Sequence, residues 1–257
     1  MTTNQDRADI TAPAGGIAVH RAATRAAMGS AAAQDIAARL RALLGAQEQV
    51  RMIFAAAPSQ ADMLERLIAA SGIDWSRVTA FHMDEYIGLP TGHQQRFASW
   101  LEAHIFGRLP FRAVHALTPE PEPAAAAARY AALLAEAPID MVCLGIGING
   151  HIAFNDPPVA DFADPLDVKI VTLDQVCRQQ QVSDGCFPDL DAVPRQALTL
   201  TVPRLMRAKG LFCVVPGAQK RDAVIRTLTG PIETACPASI LRTHSDCTLY
   251  LDNESAP

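Results

Sequence analysis

The sequence lacks the features that mark several common classes of protein. No segment approaches the roughly 18 consecutive apolar residues that a membrane-spanning helix needs. The 22 Lys and Arg residues are scattered without a basic run, and the formal net charge is −5, whereas nucleic-acid binding requires clustered cations. We therefore expect neither a membrane nor a nucleic acid as a partner.

The cysteines also lack the spacing of a metal site or a redox motif. The six cysteines contain no CxxC pair, and Cys143 and Cys213 lie in apolar, strand-like runs where a reduced cysteine acts as a small hydrophobe. The first sixteen residues are polar and lack the apolar core of a secretory signal. These features predict reduced cysteines and a cytoplasmic location.

What the sequence does contain is an alternation of strands and helices. The chain has 257 residues, 49% of them hydrophobic, which is enough to bury a large core. Several predicted strands are apolar on both faces, which is typical of a parallel sheet covered on both sides. We therefore predict a three-layer α/β/α fold with a doubly wound, mainly parallel sheet: a flexible tail over 1–15, then one α/β domain over 16–257, with strands near 16–22, 51–57, 78–83, 113–117, 139–144, 168–173, 210–215 and 247–251.

The segment from Gly145 to Pro158 (GIGINGHIAFNDPP) carries the densest group of polar residues. Its glycines follow an apolar strand and resemble the dinucleotide-binding fingerprint, with Asp174 in the position of a ribose-binding acid. That fingerprint needs a helix to begin at the glycines, and the paired prolines at 157–158 oppose one. We expect a different site here, at the carboxyl end of the sheet, and no nucleotide cofactor. The polar segment from Asp174 to Thr199 is predicted to be a long loop that acts as a lid or a binding loop.

A second polar segment follows the strand near 78–83. In the segment from Phe81 to Pro90 (FHMDEYIGLP), the carboxylates of Asp84 and Glu85 are adjacent, so only one of them is expected to point into a given cleft. His82 with these two acids also suggests a metal site, but no third ligand stands at an evident spacing. We expect no metal ion.

Together these segments resemble the glucosamine-6-phosphate deaminase (isomerising) family, whose wider superfamily includes the 6-phosphogluconolactonases. The segment 81–90 is similar to the strand-end motif of the family, and GHIAFN at 150–155 is similar to its catalytic loop. GAQK at 217–220, preceded by ALT at 197–199, resembles a later strand-to-helix turn. The resemblance covers roughly residues 50 to 230.

This resemblance implies roles for individual residues. It implies that His151 opens the sugar ring and that Asp84 moves a proton between C2 and C1 before ammonia leaves; histidine and carboxylate groups suit these steps. The family flanks its histidine with two carboxylates, and Asn149 and Asp156 stand at those positions. Glu85 is expected to support the cleft.

The implied phosphate site departs further from the family pattern. Where the family has a Thr-Gly-Gly-Thr-like turn, this chain has Ser59-Gln60-Ala61-Asp62, in which Ser59 is placed to cap the next helix and Asp62 would repel an anion. Lys220 matches the family, whereas Arg178 is displaced from its phosphate-binding arginine and Gln181 falls at that register. Gly150 is included among the substrate-binding residues. The family binds its effector with an arginine and a lysine. The corresponding positions here hold Asp167 and Lys169, so only the lysine is present, and no effector response is predicted.

The predicted activity is isomerisation coupled to deamination of an amino-sugar phosphate, by a chain that assembles into a homo-oligomer. A different anion or an unphosphorylated sugar also fits the altered anion site. Two rival functions stay open: a lactonase in which His151 activates water, and a sugar-phosphate sensor without catalysis. Sensors of this architecture carry an N-terminal helix-turn-helix, and only about 15 polar residues precede the first predicted strand.

Overall fold

The computed structural model describes Ile10–Thr11 and residues 16–257. The strands are β1 (Ile10–Thr11), β2 (Ile17–Ala22), β3 (Val50–Phe54), β4 (Val78–His82), β5 (Asp84–Tyr86), β6 (Ala113–His115), β7 (Met141–Leu144), β8 (Val168–Thr172), β9 (Gln196–Leu200), β10 (Gly210–Val215) and β11 (Cys247–Asp252). The α-helices are α1 (Arg25–Ala46), α2 (Ala61–Ile68), α3 (Phe97–His104), α4 (Pro123–Ala135), α5 (Gln175–Ser183), α6 (Val202–Met206) and α7 (Arg221–Thr229). Apart from β1, the tail expected over 1–15 lies outside the described residues.

Eight strands form a central sheet in the order β1-β2-β11-β10-β7-β3-β4-β6. Every neighbouring pair is parallel except β1 and β2, which are antiparallel. Both faces of this sheet are buried. In β7, for example, Met141 and Cys143 pack in the core under α1, α2 and α3, whereas Val142 and Leu144 pack in the core under α4, α6 and α7. The predicted three-layer fold is confirmed.

The order of the strands creates a switch point between β3 and β7. From β3 the chain moves outward to β4 and β6, and from β7 it moves in the opposite direction to β10 and β11. The loops that follow β3 and β7 therefore part from each other at the carboxyl edge of the sheet. In α/β proteins this divergence leaves a crevice in which ligands bind.

A second, antiparallel sheet has the strand order β5-β9-β8 and packs beside this edge. The prediction of one long loop from Asp174 to Thr199 was wrong, because α5 and β9 lie in this range. Asp174 caps α5 by accepting a hydrogen bond from the backbone N–H of Val176. Of the nine residues of α5 only Cys177 is buried, so the sequence offered no apolar stripe to indicate a helix.

Several element boundaries also differ from the prediction. Ser59 does not cap α2; it lies inside the 3-10 turn Pro58–Gln60, and Gln60 occupies the cap position without a side-chain bond. The helix α6 begins at Val202, because Thr201 caps it and proline is tolerated in a first helical turn. None of the helices in the described part of the chain has the length and apolar character needed to cross a bilayer.

Candidate active site

A cleft open to solvent lies at the switch point; the space inside it and across its mouth amounts to about 830 Å³. The segments that follow β3, β4, β7 and β10 supply part of its polar lining, and α3 and α5 with the residues beside them supply the rest. The residues predicted for the site divide into two groups. Those that line the cleft are Ser59, Gln60, Asp84, His151, Gln181 and Lys220, and those that do not are Glu85, Asn149, Gly150, Asp156 and Arg178.

The imidazole of His151 is held from behind by a buried carboxylate. His151 Nδ1 lies 2.8 Å from Asp156 Oδ1, and the Asp156 side chain is 1% exposed. Because an ionised carboxylate can only accept, Nδ1 carries the proton and Nε2 keeps a lone pair for the cleft. Burial opposes ionisation of Asp156, but its hydrogen bonds with His151 and Asn149 outweigh burial and lower the pKa of Asp156.

Asn149 orders this arrangement without contacting the imidazole. Its side-chain N–H donates to Asp156 Oδ1 at 2.9 Å, and its Oδ1 accepts from the backbone N–H of His151 at 3.0 Å. The prediction that Asn149 and Asp156 both flank the ring is therefore corrected: of these two side chains only Asp156 pairs with a ring nitrogen, and Asn149 fixes Asp156 and the loop.

Asp84 presents a carboxylate with no protein partner to the cleft. It follows β4 and is 7% exposed, and its side chain accepts no hydrogen bond from the described residues. Burial, assisted by the neighbouring charges of Glu85 and Asp156, raises the pKa of Asp84 well above its ordinary value. A buried carboxylate with a raised pKa is suited to accept and return a proton.

Glu85 points away from the cleft, into the amino end of α3. Its carboxylate accepts backbone N–H bonds from Tyr86, Phe97 and Ala98 at 2.9–3.1 Å, and Arg96 Nε lies 3.5 Å from Oε2. Glu85 was predicted among the catalytic residues in support of the cleft. Strand alternation instead directs it to the opposite side, where it neutralises unpaired N–H groups of the helix.

Gly150 and Arg178 are also directed elsewhere. Gly150 is buried at φ +90°, its carbonyl accepts from Ala238, and a Cβ at this position would lie 2.7 Å from Cys236 Sγ. It is thus required by the loop conformation and does not face a ligand. The guanidinium of Arg178 donates to the carbonyls of Leu190 and Val193, so it stabilises the segment after α5.

The remaining polar lining residues are Ser59, Gln60, Gln94, Gln95, Gln180, Gln181, Asp184 and Lys220. Four of them, Ser59, Gln60, Gln181 and Lys220, are the residues predicted for the anionic end of the substrate. Lys220 is buried and makes no ion pair with the described residues, and burial lowers the pKa of its ammonium to about 8. Asp62 was expected to repel an anion, but Arg25 Nε lies 2.6 Å from its carboxylate and neutralises it. Lys220 is thus the cationic group of this end.

The sequence did not point to two further parts of the lining. Aromatic side chains form one wall of the cleft: Tyr86, Phe97, Trp100, Phe154 and Phe187. On α5, Gln180 accepts a hydrogen bond from the backbone N–H of Ile148 at 3.1 Å and so fixes the loop of His151. These residues come from separate segments without a shared motif; only the position of Tyr86 beside Asp84 and Glu85 could have indicated it.

Comparisons with known proteins agree with this geometry. The model of the family described as "Glucosamine-6-phosphate isomerases/6-phosphogluconolactonase" matches residues 23–250. Glucosamine-6-phosphate deaminase of Exiguobacterium sibiricum is 33% identical over 185 residues, covering 72% of this chain and 71% of the relative. The deaminase of Listeria monocytogenes serotype 4a is 32% identical over 209 residues, covering 81% and 87%.

Solved structures show the same fold. A monomeric glucosamine-6-phosphate deaminase superposes with a TM-score of 0.85 at 26% identity, covering 92% of this chain and 98% of the other. A 6-phosphogluconolactonase from Thermotoga maritima superposes with a TM-score of 0.75 at 17% identity, covering 92% and 100%, and so shares the fold. By the span of the family match and the identity to its members, the chain belongs to the glucosamine-6-phosphate isomerase/6-phosphogluconolactonase family.

Proposed function

We propose that this chain converts an amino-sugar phosphate of the glucosamine 6-phosphate type into the ketose phosphate and ammonia. The observation that carries the proposal is the pairing, in one cleft, of Asp84, a carboxylate without a protein partner, with His151, whose Nδ1 is bound to Asp156. Hydrolysis of a lactone needs one activated water, whereas isomerisation needs a second group that moves a carbon-bound proton. Membership of the family supports the same reaction.

His151 opens the sugar ring. Its Nε2 lone pair accepts the proton of the anomeric hydroxyl, and the imidazolium then donates this proton to the ring oxygen as the C1–O5 bond breaks. Between the two proton transfers the imidazole is positively charged. The carboxylate of Asp156, 2.8 Å from Nδ1, stabilises this charge. Asn149 keeps that carboxylate in position.

Asp84 then moves the proton from C2 to C1. Its carboxylate removes the C2 proton of the open-chain aldehyde, which leaves an enolate, and returns this proton to C1. One proton passes from the amino nitrogen to O1 through water, so that the product is an imine at C2 with a hydroxyl group on C1. Water hydrolyses the imine to the ketone and ammonia. Since the Asp84 side chain has no hydrogen bond to the described residues, its lone pairs are free for this transfer. A raised pKa increases the basicity of the carboxylate toward a weakly acidic C–H group.

The end of the cleft near Lys220 binds the phosphate. The ammonium supplies charge, while Ser59 and Gln181 offer polar groups without charge. The amide oxygen of Gln60 is buried without a hydrogen-bond partner, and its side-chain nitrogen is bonded to Ser59 and Val214. An anion bound here interacts with the ammonium of Lys220 and with the neutral side chains of Ser59 and Gln181. The carboxylate of Asp184 also lines the cleft, and its charge favours the protonated form of Lys220.

The decisive assay measures ammonia and ketose phosphate formed from glucosamine 6-phosphate, in parallel with hydrolysis of 6-phosphogluconolactone and with turnover of unphosphorylated glucosamine. We expect ammonia release from the phosphorylated amino sugar. Asp84→Asn and His151→Gln should each lower turnover by about two orders of magnitude or more without unfolding the protein. Asp184→Asn, a change at another carboxylate of the cleft, is the matched control and should stay near the wild-type rate.

Each alternative predicts a different result. Lactone hydrolysis that survives Asp84→Asn, with no ammonia release, would identify a lactonase. Binding of sugar phosphates without turnover of either substrate would identify a sensor. A cytoplasmic location and assembly into a homo-oligomer remain predictions, which fractionation and sedimentation of the purified chain can test.

A further inference from the structure

Three donor atoms of different chemistry converge behind the imidazole of His151. His151 Nδ1, a carboxylate oxygen of Asp156 and Cys177 Sγ all lie within 4.8 Å of one another. Cys177 belongs to α5, whereas the other two follow β7, so tertiary packing brings them together. Asp156 and Cys177 are both 0% exposed, and the His151 side chain is 12% exposed.

The carboxylate of Asp156 is held strongly on one oxygen only. Asp156 Oδ1 accepts from Asn149 and lies 2.8 Å from His151 Nδ1, whereas Oδ2 is buried and accepts from no N–H or O–H group of the described residues. The remaining interaction of the carboxylate is a hydrogen bond from the Cys177 thiol, which lowers the pKa of Asp156. Because a thiol is a weak donor, the cluster contains a negatively charged acceptor that is only weakly satisfied beside an imidazole nitrogen and a sulfur.

We propose that a thiophilic divalent cation, of which Zn²⁺ is the type, binds at His151 Nδ1, Asp156 and Cys177. Nitrogen, oxygen and sulfur together are donors that Zn²⁺ accepts, whereas Mg²⁺ and Ca²⁺ prefer oxygen alone. A thiolate and a carboxylate neutralise the two positive charges. Zinc–ligand bonds of about 2.0–2.3 Å require donors roughly 3.3–3.7 Å apart. His151 Nδ1 and Asp156 Oδ1, which are 2.8 Å apart, must therefore separate slightly, while all three donor atoms already lie within 4.8 Å of one another.

Binding of the cation rearranges two protons. The Cys177 thiol loses its proton to solvent as the metal–sulfur bond forms. The proton on His151 Nδ1 is displaced, and the neutral imidazole takes a proton on Nε2 instead, so one proton is released overall. Nε2 of His151 then carries a proton and no longer has a lone pair to accept one from the substrate. This consequence rests on the proposed function: the cation inhibits ring opening.

Direct binding tests the site without reference to activity. Reduced full-length protein is titrated with Zn²⁺ in competition with a chromophoric chelator, and with Cd²⁺ while the thiolate-to-metal charge-transfer band in the ultraviolet is followed. We expect one equivalent bound and a band that saturates with it. Cys177→Ser should abolish the band and weaken Zn²⁺ binding at least about tenfold. Cys186→Ser, at the half-buried cysteine that lines the cleft, is the matched control and should retain both.

Cys177→Ala is the second variant, in case Ser at this buried position impairs folding; thermal melting checks both proteins. A wild-type protein that binds no Zn²⁺, or a band that survives in the folded Cys177 variant, would overturn the site. A charge-transfer band that is lost in Cys186→Ser and kept in Cys177→Ser would also overturn the site, because the metal would then be bound by Cys186.

The inhibition is measured separately. Zn²⁺ should inhibit ammonia release from glucosamine 6-phosphate reversibly, and a chelator should restore the rate. Cys177→Ser should keep the rate measured without metal and lose most of the inhibition. Zn²⁺ bound to an active enzyme without slowing it contradicts the inhibition alone. A protein that binds Zn²⁺ and releases no ammonia from this substrate contradicts the proposed function and leaves the site standing.

Discussion

The imidazole of His151 owes its position to a glycine as much as to Asp156. A Cβ built on Gly147 would lie 2.2–2.4 Å from three atoms of the ring, so the backbone of Gly147 packs against the face of the imidazole. The N–H of Gly147 also donates to the carbonyl of His151 at 2.9 Å. At this position glycine is required for close approach and not for an unusual backbone angle.

Replacing Gly147 should therefore damage catalysis directly. Gly147→Ala forces the ring out of its position, and a displacement of about 1 Å can cost about 100-fold in kcat. Its overpacking should also lower the free energy of unfolding by about 1–3 kcal/mol. Steady-state assays and urea unfolding measure both effects. Gly45→Ala is the matched control, since its Cβ would meet nothing within 4 Å; near-wild-type kcat in Gly147→Ala would contradict the packing argument.

Lys220 should give the reaction an alkaline limit. Its pKa of about 8 means that the free enzyme loses the ammonium as the pH rises past that value, so kcat/KM for a phosphorylated substrate should fall above about pH 8. Lys220→Met should remove this limb and lower kcat/KM at pH 7 roughly 10- to 150-fold, the value of one charge-assisted hydrogen bond. A pH profile of both proteins tests this; an unchanged alkaline limb in Lys220→Met would assign the limb to another group.

At the scale of elements, the end of β4 and the start of β5 separate two adjacent carboxylates. Asp84 faces the cleft without a protein partner, and Glu85 faces α3 and accepts three backbone N–H bonds. Arg96, which is 3% exposed, lies beside Glu85. One carboxylate thus serves the cleft and the other stabilises a helix that lines it.

These two residues should respond oppositely to replacement by the amide. Glu85→Gln should lower the free energy of unfolding by about 1.5–3 kcal/mol, because both oxygens of Glu85 accept backbone N–H bonds and an amide NH2 group cannot. Burial also raises the pKa of Glu85, so the loss comes from the missing acceptor and not from the missing charge. Asp84→Asn should leave stability at pH 7 unchanged or raise it. Since the pKa of Asp84 is raised in the folded state, its ionised form destabilises the fold at neutral pH, and any gain should shrink as the pH falls toward about 4.

Urea unfolding of both variants across this pH range measures the contrast. A greater loss of stability in Asp84→Asn than in Glu85→Gln would contradict the assignment of the two side chains.

At the scale of the whole molecule, the reactivity of the six cysteines depends on how tightly the core is packed. All six are free; five are buried, and Cys186 is half-buried. Burial raises the pKa of the thiols of Cys143, Cys177, Cys186, Cys213 and Cys247, which suppresses the reactive thiolate.

We therefore expect one thiol, that of Cys186, to react promptly with a chromogenic disulfide reagent in the native protein, and all six after unfolding. The melting temperature should not depend on reductant, since no disulfide joins the described residues. Mass spectrometry of the labelled peptides identifies the site. Rapid native labelling of two or more thiols would show a more open core than described.

The central sheet was predictable because strands that are buried on both faces are continuous apolar runs in the sequence. Strands such as β7 and β10 are continuously apolar, and Asp84, His151 and Lys220 follow the carboxyl ends of β4, β7 and β10 in short polar segments. The region of α5 was not predictable in the same way, because a polar helix with one buried residue resembles a loop in sequence.

The sequence by itself determined the layers and the edge of the sheet at which Asp84 and His151 lie, because apolar strands and the polar residues that follow them are neighbours in the chain. Only the tertiary structure decided which of Asp84 and Glu85 enters the cleft, that Asp156 pairs with the imidazole, and that Cys177 lies behind it. The first and the last depend on the packing of α3 and α5, and the second depends on the conformation of the loop after β7. Packing and loop conformation leave no regular spacing in the sequence.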